Sequence, residues 1–277
     1  MAKSNDVKNW DESYRNLNST YDENINTPAK LSTFVDNKIL LSELESIFGS
    51  VSGKKVLEVG CGGARSSVFL AKNGAICTCS DISSEALRLA EDNFIKEGLK
   101  GTFVCDDLFN SKLELESYDI VMSFGLLEHF EDIDELHKAI NKFVKPGGVH
   151  SHLVITKKFS TVMMKDILFY PLRFLKNVFT LNFHNIFVRS YRDFPHYENT
   201  YSYKEYQKSF EKLGCTILVN RAGSILFPFY SFPRPFDKII VRLFKNILLK
   251  LSLKIDQSQS PITHFFAPTF TIFCQKK

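Results

Sequence analysis

The chain has 277 residues, 44% of them hydrophobic, enough for one large α/β domain with insertions and too many for a disordered chain. Basic residues (35) only slightly exceed acidic ones (31), so the net charge of +4 gives no reason by itself to expect a nucleic-acid binder. The six cysteines form no CxxC pair and read as small apolar residues of a reduced, cytoplasmic protein. The opening MAKSNDVKNWDESYRN has no apolar h-region, and no apolar run reaches the ~18 residues of a membrane-spanning helix.

Residues 1–30 are polar with scattered aromatics at Trp10, Tyr14 and Tyr21, and are expected to form a partly helical arm. Residues 35–48 carry apolar side chains at helical spacing, so 1–50 is taken as a helical arm or lid. KKVLEVG is a short buried strand ending in glycine. A helix over 64–73 and a strand from Ala75 to Ser80 follow, with Asp81 at the strand's end. Ser83 or Ser84 can cap a helix running to Gly98. Strands are expected at 101–105 and 118–124, a helix from Ile133 to Val144 stopping at Pro146-Gly147-Gly148, and a fifth strand at 149–156. Strand–helix alternation of this kind predicts a parallel sheet covered on both faces. Beyond 156 the rhythm breaks, with a helix from Tyr203 to Leu213, a strand from Cys215 to Ala222 and a last strand at about 266–275.

In open parallel sheets ligands bind beyond the carboxyl ends of the strands. The first such end reads Glu58-Val59-Gly60-Cys61-Gly62-Gly63-Ala64-Arg65. A dinucleotide fingerprint would need a third glycine where Arg65 stands. Glu58 just before the turn suits a cationic ligand better than a pyrophosphate. Asp81 ends the second strand, where a carboxylate can accept ribose hydroxyls. Asp106 ends the third, within reach of an adenine amino group.

Together these segments resemble the class I S-adenosylmethionine-dependent methyltransferases, of the small-molecule type. VLEVGCGGARSSVFLA resembles motif I of that family, CSDIS its ribose-binding segment and FVCDDLF its adenine-contacting segment. YDIVMSFGLLEHF and INKFVKPGGV resemble its fourth-strand and post-helix motifs, so the match spans about residues 50–156. The resemblance implies S-adenosyl-L-methionine as cofactor. It also implies a Rossmann-like, doubly wound α/β sheet of seven strands in the order 3-2-1-4-5-7-6, with strand 7 antiparallel. By that carry-over Gly60, Cys61 and Gly62 pass the methionine end, with Asp81 on the ribose and Ile82 beside the adenine. Asp106 takes the adenine amino group, Asp107 or Leu108 offers a backbone amide, and backbone at Ser123 and Phe124 lines the methyl-donor end.

An oxygen, nitrogen or carbon acceptor can need a base, and His129 is the best-placed candidate. The stronger reading of it is structural, packing against the sheet or the cofactor side. Some relatives hold magnesium with an E-x-x-E-H arrangement; here Gly125 stands where the first glutamate would be, so no metal is expected. His196 with Tyr197, Tyr201 and Tyr203 is a further candidate acceptor lining.

Residues 51–277 are read as the methyltransferase domain, with cap insertions at about 157–200 and 223–263. The first insertion has seven basic residues against three acidic, the second six against two, so together they carry +8 and the remainder −4. Residues 238–254 and 162–179 both read as basic amphipathic helices, the second split by Pro171. Such helices either cover an acceptor pocket or rest on the inner, anionic membrane surface. The expected function is methylation of a small or lipid-like apolar acceptor, O-methylation slightly favoured. A non-enzymatic binding protein on the cofactor fold and an RNA methyltransferase are the alternatives. The basic residues alternate with aliphatics and form no recognised RNA-binding motif, which weakens the last.

Overall fold

Val56 and Leu57 point to opposite sides of the first strand, and both are fully buried. That is the signature of a sheet covered on both faces. The computed structural model describes residues 7–15, 21–22, 24–156, 159–164, 167–168, 171, 198–230, 236–258 and 260–277.

Helix α1 (Val7–Arg15) and helix α2 (Pro28–Phe48) precede β1 (Lys55–Val59). Then come α3 (Arg65–Lys72), β2 (Ile76–Asp81), α4 (Ser84–Lys96), β3 (Thr102–Cys105) and β4 (Tyr118–Phe124). Helix α5 (Ile133–Asn141), β5 (Val144–Ile155), α6 (Tyr203–Lys212) and β6 (Cys215–Gly223) follow. The cap helices α7 (Phe227–Tyr230), α8 (Phe236–Asp256) and α9 (Pro261–Phe266) lead into β7 (Thr269–Lys276). The strand order is β3-β2-β1-β4-β5-β7-β6, the order that the family resemblance implies. β7 runs antiparallel between β5 and β6, and the pairs from β3 to β5 are parallel.

One apolar layer joins Val56, Ile120 and Met122 to Leu44, Val68, Leu70 and Phe94 of α2, α3 and α4. The other joins Leu57, Val121 and Ile272 to Leu136, Ile140 and Phe210 of α5 and α6. The cap has its own small core, in which Leu31 of α2 meets Tyr230 and Val241.

Three boundaries differ from expectation for identifiable reasons. α2 begins at Pro28, seven residues before the apolar spacing becomes regular, because Thr27 caps it and accepts the Lys30 N–H at 3.3 Å. α5 ends at Asn141 and not at the Pro-Gly-Gly. Val144 already pairs with Tyr118, and a register shift between Tyr118 and Ile120 absorbs Pro146–Gly148 inside β5. Residues 261–266, partly assigned to the last strand, form α9, capped by the Ser260 side chain on the Ile262 N–H. The sequence-expected helix at 162–179 lies mostly outside the described residues.

Three histidines are buried in the α5–α6 layer around Phe210. His137 stacks on that ring at 3.9 Å between centroids, and His152 lies nearly parallel to it at 5.4 Å. His137 Nδ1 pairs with Ser209 Oγ at 2.8 Å, His150 Nε2 with Asn141 Oδ1 at 3.0 Å and His150 Nδ1 with His152 Nε2 at 3.3 Å. Burial, and then the neighbouring imidazoles, push His137 down to about 3 and hold His152 well below its ordinary 6.5. The unfolded chain therefore takes up protons that the folded one refuses, and stability falls as pH drops below about 6.5 toward 3. The slope is about 1.4 kcal/mol per pH unit for each proton so excluded. Thermal melts across that range should show the decline, shallower in His137→Gln; a flat wild-type profile would contradict a neutral buried cluster.

Candidate functional site

The chain leaves β1 through a turn with left-handed backbone at Gly60 (φ 60°), Gly62 (φ 51°) and Ala64 (φ 49°), then enters α3. The Cys61 N–H donates to the Ser80 carbonyl at 3.0 Å, tying the turn to β2. Asp81 holds it from the side: Oδ2 accepts the Gly62 N–H and Oδ1 the Ser83 N–H, each at 2.9 Å. Burial raises this carboxyl, while the amides of Ser83, Gly62 and Ile82 pull it back. Glu58 is buried behind the turn, where its Oε2 accepts the Ser67 N–H at 3.1 Å and the Ser67 hydroxyl at 2.5 Å. Burial pushes it up to about 7 against those bonds.

Two cavities open beyond these strand ends. The first, of about 330 Å³, is lined by Asp81, Ile82, Asp106, Asp107, Leu108 and Phe124 among others. The second, of about 300 Å³, is lined by Glu58, Cys61 and Gly62. Tyr14, Gly60, Phe124 and Gly125 line both, so the two are adjoining. Of the sequence-predicted residues, Asp81 and Asp106 share one hollow and Glu58 belongs to its neighbour. Asp106 Oδ2 accepts from the Ser111 hydroxyl and from the Lys112 N–H, and its own N–H donates to the Asp81 carbonyl at 3.0 Å. Asp107 caps the turn at Leu108–Asn110 by accepting the Phe109 N–H at 3.0 Å.

One expectation needs correction. Ser123, expected to offer backbone to the methyl-donor end, lines neither cavity, and its side chain lies in the opposite layer, where it pairs with His152 Nδ1 at 2.8 Å. The Ser123–Phe124 edge of the site is therefore Phe124 and the following Gly125.

The residues fit the nucleoside that the sequence implies. Ile82, Leu108, Phe109 and Phe130 supply apolar walls for a flat base, the turn offers a floor without bulky side chains, and Asp81 stands at the rim. Carboxylates at the rim oppose a pyrophosphate and favour a cationic ligand. Among the described residues no three potential metal ligands converge. Glu128 and His129 diverge: Glu128 Oε1 accepts the Ile155 N–H at 3.2 Å, burial pushing the carboxyl up to about 8, whereas His129 lines the first cavity.

The role of α1 was only coarsely legible. Trp10 and Tyr14 line the first cavity, and the Trp10 ring meets His129 edge-on at 5.1 Å. A Cβ on Gly62 would lie 2.8 Å from the Tyr14 hydroxyl, so the phenol sits directly over the turn. Asp11 accepts the Ser83 hydroxyl at 2.6 Å, and Arg15 pairs with Glu85 at 3.0 Å. Aromatics spaced four apart in a polar stretch were the available signal. Of the other candidates, His196 and Tyr197 lie outside the described residues. Tyr201 donates to the Glu131 carbonyl at 2.8 Å, Tyr203 packs near Phe270, and neither lines the two cavities.

Residues 56–148 match the protein-family model described as a methyltransferase domain. Among curated proteins, a ubiquinone biosynthesis O-methyltransferase of Proteus mirabilis is 34% identical over 113 residues, 40% of this chain and 46% of that one. The Coxiella burnetii protein of the same name is 32% identical over 114 residues, 41% of this chain and 49% of its own length. The chain thus spans about half the length of the curated relatives it matches. Among solved structures, a putative sarcosine dimethylglycine methyltransferase from Galdieria sulphuraria superposes with a TM-score of 0.59 at 16% identity, covering 98% of both chains. Magnesium protoporphyrin IX methyltransferase from Synechocystis PCC 6803, solved with bound SAH, gives 0.56 at 15% identity, covering 98% of this chain and 93% of that one. Motif I, the strand order and the matched segment agree: residues 56–148 carry a methyltransferase domain, and the chain has the fold of these solved structures.

Proposed function

We propose that this chain transfers a methyl group from S-adenosylmethionine to a hydroxyl of a small, apolar or lipid-like acceptor. The observation that carries this reading is the pair of adjoining cavities: a nucleoside-shaped slot meets a second chamber at Gly60, Phe124 and Gly125. The names of the sequence relatives, O-methyltransferases of ubiquinone biosynthesis, support oxygen as the methylated atom.

When bound, S-adenosylmethionine supplies a methyl group already activated on a sulfonium. What remains for the protein is to hold, orient and exclude water. In this reading Asp81 accepts the ribose hydroxyls, Ile82 packs on the adenine and Asp106 accepts its amino group, with the Asp107–Leu108 backbone beside it. Gly60, Cys61 and Gly62 let the methionine end pass close to backbone, and Glu58 braces the start of α3 behind the turn through Ser67. His129 with Trp10 walls the donor side, and α1 acts as a lid whose Tyr14 closes over Gly62. Residues 1–50 are then the lid and its support, and 51–277 the catalytic domain.

A second reading concerns where the acceptor is met. Phe236, Ile239, Leu243, Phe244, Ile247 and Leu251 of α8 are each between 45% and 69% exposed. Exposed Arg242, Lys250 and Lys254 accompany them, whereas both acidic residues of the helix, Asp237 and Asp256, are buried. An apolar stripe flanked by cations suits the surface of an anionic bilayer. No helix among the described residues is long and apolar enough to cross a membrane.

Asp81→Ala should weaken binding of S-adenosylhomocysteine by ~1.5–3 kcal/mol, roughly 10- to 150-fold, since charge-assisted hydrogen bonds are lost. Calorimetric titration measures this, and an unchanged affinity would count against the site assignment. Wild-type protein with labelled donor should label a lipid or aromatic fraction of a cell extract, in a base-stable ether linkage. Label in RNA alone would favour the nucleic-acid alternative, and no label in any fraction a binding protein. With vesicles containing phosphatidylserine, wild-type protein should float and Leu243→Glu/Ile247→Glu should not; equal behaviour of the two removes the membrane reading.

A further inference from the structure

The second cavity extends past the glycine turn to a polar floor that the donor site does not use. Thr33 and Asp36 of α2, Ser224 after β6 and Thr269 of β7 line it. Two of these residues present an unsatisfied atom. Asp36 Oδ1 and Thr269 Oγ1 are closed from solvent and have no hydrogen-bond partner among the described residues. They also face a common space, because a Cβ on Gly223 would lie 2.6 Å from Thr269 Oγ1 and 3.8 Å from Asp36 Oδ1. At 2.6 Å a side chain at position 223 would displace the Thr269 hydroxyl, and glycine lets it keep its place. A buried oxygen without a donor costs ~1–3 kcal/mol, which a ligand hydroxyl placed there recovers.

The floor is held by its own contacts. Ser224 adopts a left-handed φ of 56°, uncommon for a residue with a side chain. Asp256 at the end of α8 fixes it, accepting the Ser224 N–H at 3.1 Å and the Ile225 N–H at 3.3 Å. Ser224 Oγ meets Ser32 Oγ at 3.1 Å, and buried Arg221 meets Glu43 at 3.2 Å, so α2 is bound to β6 on both sides of Asp36. The charged groups facing Asp36 are Arg221 from β6, Asp256 from α8 and Glu43 from α2 itself. Arg221 favours the carboxylate, burial and the two acids oppose it, and the balance pushes Asp36 up to about 7.

We propose that Asp36 is the base that takes the proton from the acceptor's hydroxyl, with Thr269 as the second hydrogen-bonding contact at that end of the acceptor. This rests on the methyl-transfer reading above. Asp36 Oδ1 gains the proton, and the oxygen keeps the electron pair of the broken O–H bond, with which it bonds the methyl carbon. The pair of the broken methyl–sulfur bond stays on sulfur, and Asp36 later releases its proton to water. Its neutral-range proton affinity matches the demand on a general base near pH 7. His129, walled off beside Trp10 in the donor cavity, is then not required for proton removal.

The test uses the full chain with S-adenosylhomocysteine bound and 4-nitrophenol as a hydroxyl probe whose ionisation is visible by absorbance. Wild-type protein should bind the probe and show its phenolate band at a pH where the free probe is still protonated. Asp36→Asn should lose that band, and Thr269→Val should weaken the probe about tenfold, a loss of ~1.4 kcal/mol. Both should keep S-adenosylhomocysteine affinity within about twofold, since neither residue lines the nucleoside slot. Gly223→Ala, which pushes the Thr269 hydroxyl aside without altering charge, should weaken the probe about tenfold, and it decides the matter should the aspartate variant not fold. The proposal is overturned if wild-type protein binds no probe or holds it protonated, or if the probe is indifferent to these substitutions. It is equally overturned if Asp36→Asn weakens S-adenosylhomocysteine about tenfold, which would assign Asp36 to the donor. Failure of wild-type protein to bind S-adenosylhomocysteine at all would instead overturn the methyltransferase reading itself.

Discussion

A single carboxylate at the end of β2 fixes the relation between β1, β2 and the helices that follow them, α3 and α4. Asp81 accepts one amide from the glycine turn after β1 and another from the start of α4, and both bonds are short and shielded from water. Two parallel strands and two helix starts are thereby locked at one rim. Asp11 extends the arrangement by reaching from α1 to the Ser83 hydroxyl and the Glu85 N–H. The arm over the slot and the floor beneath it are thus joined through one short segment, Asp81 to Glu85. Burying a carboxylate is costly unless amides compensate it, and those amides are the ones whose placement shapes the slot.

Much of this was legible in the residues. Short apolar strands ending in glycine or aspartate located β1 to β4 within a residue or two, since a strand buried on both faces leaves an unbroken apolar run. Ser83 announced α4 through its cap. The strand order came from resemblance and not from pattern, because nothing in a strand's own sequence names its neighbour.

The misses have physical causes. Asp36 sits in an amphipathic helix whose spacing explains Leu31, Val35 and Ile39 and leaves an acidic residue looking like solvated surface; only the long-range packing of α2 against β6 and α8 seals it. Pro146-Gly147-Gly148 reads as a helix stop, and yet the helix had ended earlier because a strand bulge can also house that triplet.

The two cavities differ in how far apart in the chain their walls lie. The donor slot is built mostly within residues 58–130, with α1 laid over it. The polar floor unites Asp36, near the beginning, with Gly223 and Thr269, near the end. It exists only once β7 has inserted between β5 and β6. Contacts of such sequence separation form late, because a long loop must close before they return any energy. As the chain emerges from the ribosome, the nucleoside slot can take shape while the far wall of its neighbour is still untranslated, so competence to hold a donor precedes competence to hold anything beside it.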